Sequence, residues 1–268
     1  MESHVLLRTE GAVRYVTLNN ATKANSMSTS MIETLRETMK SADRDEMVTA
    51  VVLTANGKFF CTGMDFSAEE QPVGQRPSNE QELKYQQAVD LACSKTTIVL
   101  VNGPCYGAGN GLVFACDIRI ALPSAKFVLS EVRKGLTPAT ISRYLVREWG
   151  TSLAREAMII GRMVMPDELR KIHAIHHIVD DLQQGKSLVL SVLETSRKCA
   201  PRAVAQSKRI VNAVYEEAQA GSDKVIKEVF VDMIRPSDEA AHGIAQFQAG
   251  QRDVDWESYR RDRRQSKI

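Results

Sequence analysis

An α/β core followed by a helical region is the fold class that this 268-residue sequence predicts. Three observations predict it. Short β-branched, apolar runs alternate with helix-length amphipathic stretches through the first half. A glycine-rich turn, Asn102-Gly103-Pro104-Cys105-Tyr106-Gly107-Ala108-Gly109-Asn110-Gly111-Leu112, joins one such run to an apolar helix. From Leu153 onward helical periodicity dominates.

Residues 5–7 and 13–18 flank Thr9-Glu10-Gly11 and read as an opening hairpin. Ser30 and Glu33 have capping-box spacing, and Ile32, Leu35 and Met39 give the following helix an apolar stripe as far as Ser41. Ala50-Val51-Val52-Leu53-Thr54 is a strand and Asn56-Gly57-Lys58 a turn, from which Phe59-Phe60-Cys61-Thr62-Gly63-Met64-Asp65-Phe66 leads away. Residues 69–82, with Pro72, Gly74 and Pro77, predict a surface loop able to act as a lid, and residues 83–93 a helix. Thr97-Ile98-Val99-Leu100-Val101 is the strand that enters the glycine cluster. Glycines there let another group approach the main chain and leave the first helical N–H groups unpaired, an end that attracts negative charge. Ile118-Arg119-Ile120-Ala121 and Lys126-Phe127-Val128-Leu129 are further strands, the second ending at Leu129-Ser130-Glu131. This alternation predicts a largely buried sheet with crossover connections. In the second half, residues 187–199 are apolar on one side and Pro201 suits a first helical position. Ser222 caps residues 225–234, Pro236 stops that helix, and residues 237–248 form another bearing Ile244 and Phe247.

With 35 Lys+Arg against 33 Asp+Glu the net charge is +2, so nothing calls for nucleic acid. No apolar run approaches the roughly 20 residues of a membrane span, and Met1-Glu2-Ser3-His4 lacks a secretory signal. A soluble intracellular protein is expected. Cys61, Cys93, Cys105, Cys116 and Cys199 form no Cys-x-x-Cys pair, so neither disulfides nor zinc is expected, and each reads as a small buried apolar residue. His173, His176 and His177 cluster without a carboxylate or cysteine at ligand spacing, and no metal site is expected. Asp65 and Asp117 each follow a glycine-bearing segment and are expected to fix backbone. Asn110 and Tyr106 are expected to shape their turn.

Taken together, the two glycine-bearing turns, Leu129-Ser130-Glu131 and Gly135-Leu136-Thr137-Pro138 resemble the crotonase superfamily, the enoyl-CoA hydratase and isomerase family. The similarity covers nearly the whole chain, with residues 19–27, 59–66, 102–117 and 127–138 matching successive family segments. The resemblance implies a crotonase-like spiral of strand-strand-helix repeats over residues 1–198 and a C-terminal helical trimerisation region and tail over residues 199–268. It implies an acyl-CoA thioester substrate, coenzyme A as part of that substrate with no separate cofactor, and a homotrimer or a hexamer built as a dimer of trimers. Carried over residue by residue, the N–H groups of Met64 and Ala108 form the oxyanion hole and Glu131 is the catalytic carboxylate. Lys23, Ala24, Met64, Asp65, Phe66, Ser67 and Gly107 line the CoA-thioester site.

The chemistry follows from the residue types. A thioester becoming an enolate gains nearly a full charge on oxygen, and each main-chain donor aimed there is worth about 3 kcal/mol. A carboxylate made more basic by partial burial moves the proton on the adjacent carbon, for about 10² to 10⁴ fold. One departure stands out: hydratases of the family carry a second glutamate where this chain has Gly111. Residues 129–142 look most like the methylglutaconyl-CoA-type hydratases, which ranks a hydratase of a branched or functionalised enoyl-CoA first. Alternatives are an enoyl-CoA isomerase, for which one glutamate suffices, a decarboxylase of a carboxylated acyl-CoA, and a non-catalytic scaffold. Ser266-Lys267-Ile268 resembles the Ser-Lys-Leu peroxisomal address, so a peroxisomal location is expected, otherwise a cytoplasmic one.

Overall fold

The computed structural model describes residues 3–65, 67, 93–217 and 238–251, with 227, 231, 254, 255, 259 and 262. The expected lid, all but Cys93 of the helix over residues 83–93, nearly all of the helix over 225–234 and most of the basic C-terminal tail lie outside the described residues. Strands β1 (Val5–Glu10) and β2 (Val13–Leu18) form the antiparallel hairpin, turning at Gly11 with φ 55°. Parallel pairing then adds β3 (Ala50–Ala55), β4 (Thr96–Val101), β6 (Ile118–Ala121) and β9 (His177–Ile178), in the order β1-β2-β3-β4-β6-β9. A smaller sheet joins β5 (Cys105–Tyr106), β7 (Phe127–Val128) and β8 (Met163–Val164).

Both faces of the large sheet are covered, which is why β3 and β4 read as continuous apolar runs. Val16, Leu18, Val51, Leu53, Val99 and Val101 face one core with Ile32 and Leu35 of α1 (Thr29–Arg44) and Leu112 and Phe114 of α2 (Ala108–Phe114). The alternate residues Val13, Val52, Ile98, Leu100 and Ile120 face a second core with Val189 and Leu193 of α5 (Leu182–Ser196). Helix α3 (Ser142–Ile160) closes the first core with Leu145 and Trp149, the indole standing edge-on to Phe114 at 5.2 Å. Short α4 (Pro166–Lys171) leads to β9, and α6 (Pro201–Glu217) and α7 (Asp238–Gln248) complete the described helices.

Three expectations are corrected. The cap of α1 is Ser28, not Ser30: Ser28 is extended and its hydroxyl accepts from Met31 N–H at 3.3 Å. The helical periodicity read from Leu153 onward starts earlier, at Ser142, in a helix kinked at Gly150 (φ 72°, ψ 158°). Cys199 is exposed, whereas Cys61, Cys93, Cys105 and Cys116 are buried as expected.

Helix α7 returns from the C-terminal region onto residues 130–134. A Cβ on Gly243 would stand 2.2 Å from the Lys134 carbonyl oxygen, so the two backbones meet with no room for a side chain. Lys134 Nζ lies 5.1 Å from the centre of the Phe247 ring in the same helix. Gly243→Ala is therefore expected to part α7 from this segment and to lower stability by about 1–3 kcal/mol in urea unfolding.

Candidate active site

Three loops stack one behind another at the C-terminal ends of the parallel strands. Met27 N–H donates to Gly63 O at 2.7 Å and Asp65 N–H to Met27 O at 3.0 Å, while Cys61 pairs in parallel with Cys105, and Cys105 with Phe127. Asn25 holds the early turn to the first segment. At φ 54°, a conformation asparagine tolerates, it accepts from Asn20 N–H (2.7 Å) and donates to Asn56 O (2.8 Å) and Phe59 O (2.9 Å). Ala24, at φ 51°, takes the Thr62 hydroxyl on its carbonyl at 3.2 Å. Nothing in the sequence singles out Asn25 except its place in a polar turn.

Met64 is the bridge partner of Met27, but the hydrogen bonds of that pairing are made by its neighbours Gly63 and Asp65, so its own N–H points away. Ala108 opens α2, where an N–H has no partner within the helix. Among the described residues neither amide donates a hydrogen bond. The segments bearing them touch: a Cβ on Gly63 would lie 3.3 Å from Ala108 N and 3.0 Å from Tyr106 O. Glycine is required at residue 107 too, for the chain turns there with φ 49°, ψ −127°.

Glu131 is not at a strand end as expected. It lies in a 3-10 helix, Ser130–Lys134, closed by Gly135 at φ 69° with Leu136 N–H on the Glu131 carbonyl at 3.0 Å. The tight turn swings its side chain back over the glycine turn, so that a Cβ on Gly107 would lie 3.3 Å from Oε1 and 3.8 Å from Gly63 Cα. Part of the residue is open, but Oε2 is enclosed and has no hydrogen-bond partner among the described residues. Burial pushes the carboxyl up from its ordinary 4.5 to about 7, against the weaker pull of its own backbone N–H and of Lys134. Lys134, itself held below the usual lysine range by burial, donates to Ser130 Oγ at 3.1 Å.

Of the other expected site residues, Asp65 accepts from Ser67 N–H (2.9 Å) and from Lys23 Nζ (3.4 Å). Burial alone would raise its pKa, yet these partners hold it below the usual carboxylate range. Phe66 lies outside the described residues. Asp117 fixes backbone as expected, accepting from Thr97 N–H and Oγ1 at 2.8 Å each, and it also pairs with Lys208 of α6 at 2.7 Å. His176 accepts the Arg119 N–H on Nδ1, and burial brings its pKa down to about 4. No described group of His, Cys, Asp and Glu is arranged to hold a metal. Cys61 lies near the first turn, but burial pushes its thiol up to about 12, away from nucleophilic use. Among the described residues no helix is long and apolar enough to cross a membrane.

Stacked strand-and-loop turns, with an enclosed, weakly acidic carboxyl beside two unused amides, define an α/β protein of the crotonase fold. The enoyl-CoA hydratase/isomerase family profile matches residues 8–260, and the chain belongs to that family. The enoyl-CoA hydratase ACTT6 of Alternaria alternata is 37% identical over 253 residues, 94% of this chain and 83% of that protein. A carnitinyl-CoA hydratase structure from Mycobacterium avium has a TM-score of 0.82 at 25% identity, over 95% of this chain and 98% of the other. An enoyl-CoA hydratase/isomerase structure from Marinobacter aquaeolei has a TM-score of 0.74 at 28% identity, over 94% and 98%. At family level, then, the chain is an enzyme of enoyl-CoA hydratase type.

Proposed function

We propose that this enzyme hydrates a branched or functionalised enoyl-CoA with Glu131 as its single catalytic carboxylate and the Met64 and Ala108 N–H groups as its oxyanion hole. The observation that carries the reading is the enclosed Glu131 Oε2, without a partner among the described residues, its carboxyl pushed up to about 7 by burial beside the Gly107 turn. Water adds to the β-carbon as its proton passes to the Glu131 carboxylate. The electron pair of the double bond moves onto the thioester oxygen, where the two amides receive it. Collapse of the enolate takes the proton from Glu131 to the α-carbon, so that one water is added and the carboxylate is restored.

Lys23, Ala24, Asp65, Phe66, Ser67 and Gly107 are proposed to flank the CoA thioester, and coenzyme A enters as part of the substrate. Exposed Ile159, Ile160 and Met163, with Ile210 and Val211 on α6, support association of copies as trimers or dimers of trimers. The local likeness of residues 129–142 to methylglutaconyl-CoA-type hydratases supports a branched acyl group. A second reading, double-bond isomerisation, is favoured by Gly111, which puts no second carboxylate on α2. There Glu131 alone takes a proton from one carbon and returns it to another.

The test is mass spectrometry of a panel of enoyl-CoA and carboxylated acyl-CoA thioesters after incubation with the enzyme. Gain of water is the expected result. Loss of carbon dioxide marks a decarboxylase and an unchanged mass with a shifted double bond an isomerase; no turnover at all leaves a scaffold. Gly111→Glu, if folded, is expected to raise hydration of a straight-chain enoyl-CoA about tenfold or more by restoring the second acid-base group. No gain in a folded variant refutes this account of Gly111.

A further inference from the structure

We infer that Asn110 is the positioning residue that aims and strengthens the Ala108 amide, an inference that rests on the oxyanion reading above. Its side chain is fully buried. Nδ2 donates to Gly107 O at 3.1 Å and to Val128 O at 3.0 Å. Gly107 O already receives Asn110 N–H at 2.9 Å, and Val128 O already receives Gly107 N–H at 3.0 Å. Both carbonyls are thus satisfied by backbone donors, and the side-chain bonds are not needed to pair them.

What the amide adds follows from where those carbonyls sit. Gly107 C=O and Ala108 N–H belong to one peptide unit, which is trans, so the two point in opposite directions. Two donors on the oxygen hold that plane from behind and draw electron density through it, making the N–H on the far side a stronger donor. Val128 stands two residues before the 3-10 helix of Glu131. One nitrogen therefore links the turn that carries the amide to the strand that leads into the 3-10 turn of the carboxyl. Only a group with two hydrogens on one atom does this; serine offers one and an ionised aspartate none. Asn110 Oδ1, also enclosed, accepts nothing from the described residues. For packing alone an apolar side chain would fill this position without an unmatched acceptor.

The experiment compares wild type with Asn110→Ala and Asn110→Ser, using infrared difference spectra of a bound saturated acyl-CoA labelled with ¹³C at the thioester carbonyl. Wild type is expected to displace the carbonyl band to lower frequency. In Asn110→Ala the band should return part-way towards its position in water, with kcat down about 5- to 50-fold, a fraction of the loss for a whole donor. KM should stay within about threefold, because the amide matters most once charge has developed on the oxygen. Asn110→Ser, with one donor, should fall between, and it carries the test alone if the alanine variant does not fold. A folded variant with an unchanged band and unchanged kcat overturns the inference, as does failure of both variants to fold. No displacement in wild type would instead bring down the oxyanion reading beneath it.

Discussion

Glu131→Gln should leave a folded protein that binds acyl-CoA and turns over about 10² to 10⁴ fold more slowly, since proton transfer at the α-carbon loses its only carrier among the described groups. Glutamine keeps the volume and one oxygen, so the packing against Gly107 survives. Wild-type kcat/KM should rise with pH to a plateau reached above about 7, because the free enzyme must present Glu131 as the carboxylate. The variant should lose that limb.

Stability carries the matching signature. The folded pKa is raised above the ordinary value, so the favourable contribution of the neutral acid is complete below about 4.5 and is lost as pH rises through about 7. The loss is on the order of 3 kcal/mol. Denaturant melts should therefore show Glu131→Gln gaining on wild type as pH climbs through this window. A variant with wild-type kcat, or a rate profile flat from pH 5 to 8 in wild type, would remove Glu131 from the chemistry.

Gly107→Ala is expected to damage both fold and rate. A residue with a Cβ at φ 49°, ψ −127° is strained by about 1–3 kcal/mol. The added carbon also meets Glu131 Oε1 at 3.3 Å, close enough that the carboxyl must give by a few tenths of an ångström. Because the same peptide carries the Ala108 N–H, donor and carboxyl are displaced together, and kcat should fall by at least about 10². Thermal unfolding and initial rates measure the two effects separately. A stable variant of near-normal rate would mean that the glycine turn does not set the geometry of catalysis.

Much of this was legible in the residues themselves. The apolar runs at residues 50–54 and 97–101 are strands because β-branched side chains fill a sheet covered on both faces, and the glycines at 63 and 107 mark where backbone must approach backbone. Boundaries were less legible where the backbone conformation of a single residue decides them. Gly150 hides the first half of α3 from any periodicity test, and Ser28 rather than Ser30 caps α1 because it is the residue that turns extended there.

By itself the sequence determined the fold class, the family resemblance and which residues stand at 64, 108 and 131, since these follow from local pattern and spacing. Only the tertiary structure decided that Glu131 lies in a 3-10 turn swung over Gly107, that Asn110 reaches two carbonyls, and that Gly243 of α7 presses on Lys134. The approach of Glu131 to Gly107, of Asn110 to Val128 and of Gly243 to Lys134 joins segments far apart along the chain, and such contacts are made by packing, which no local preference encodes.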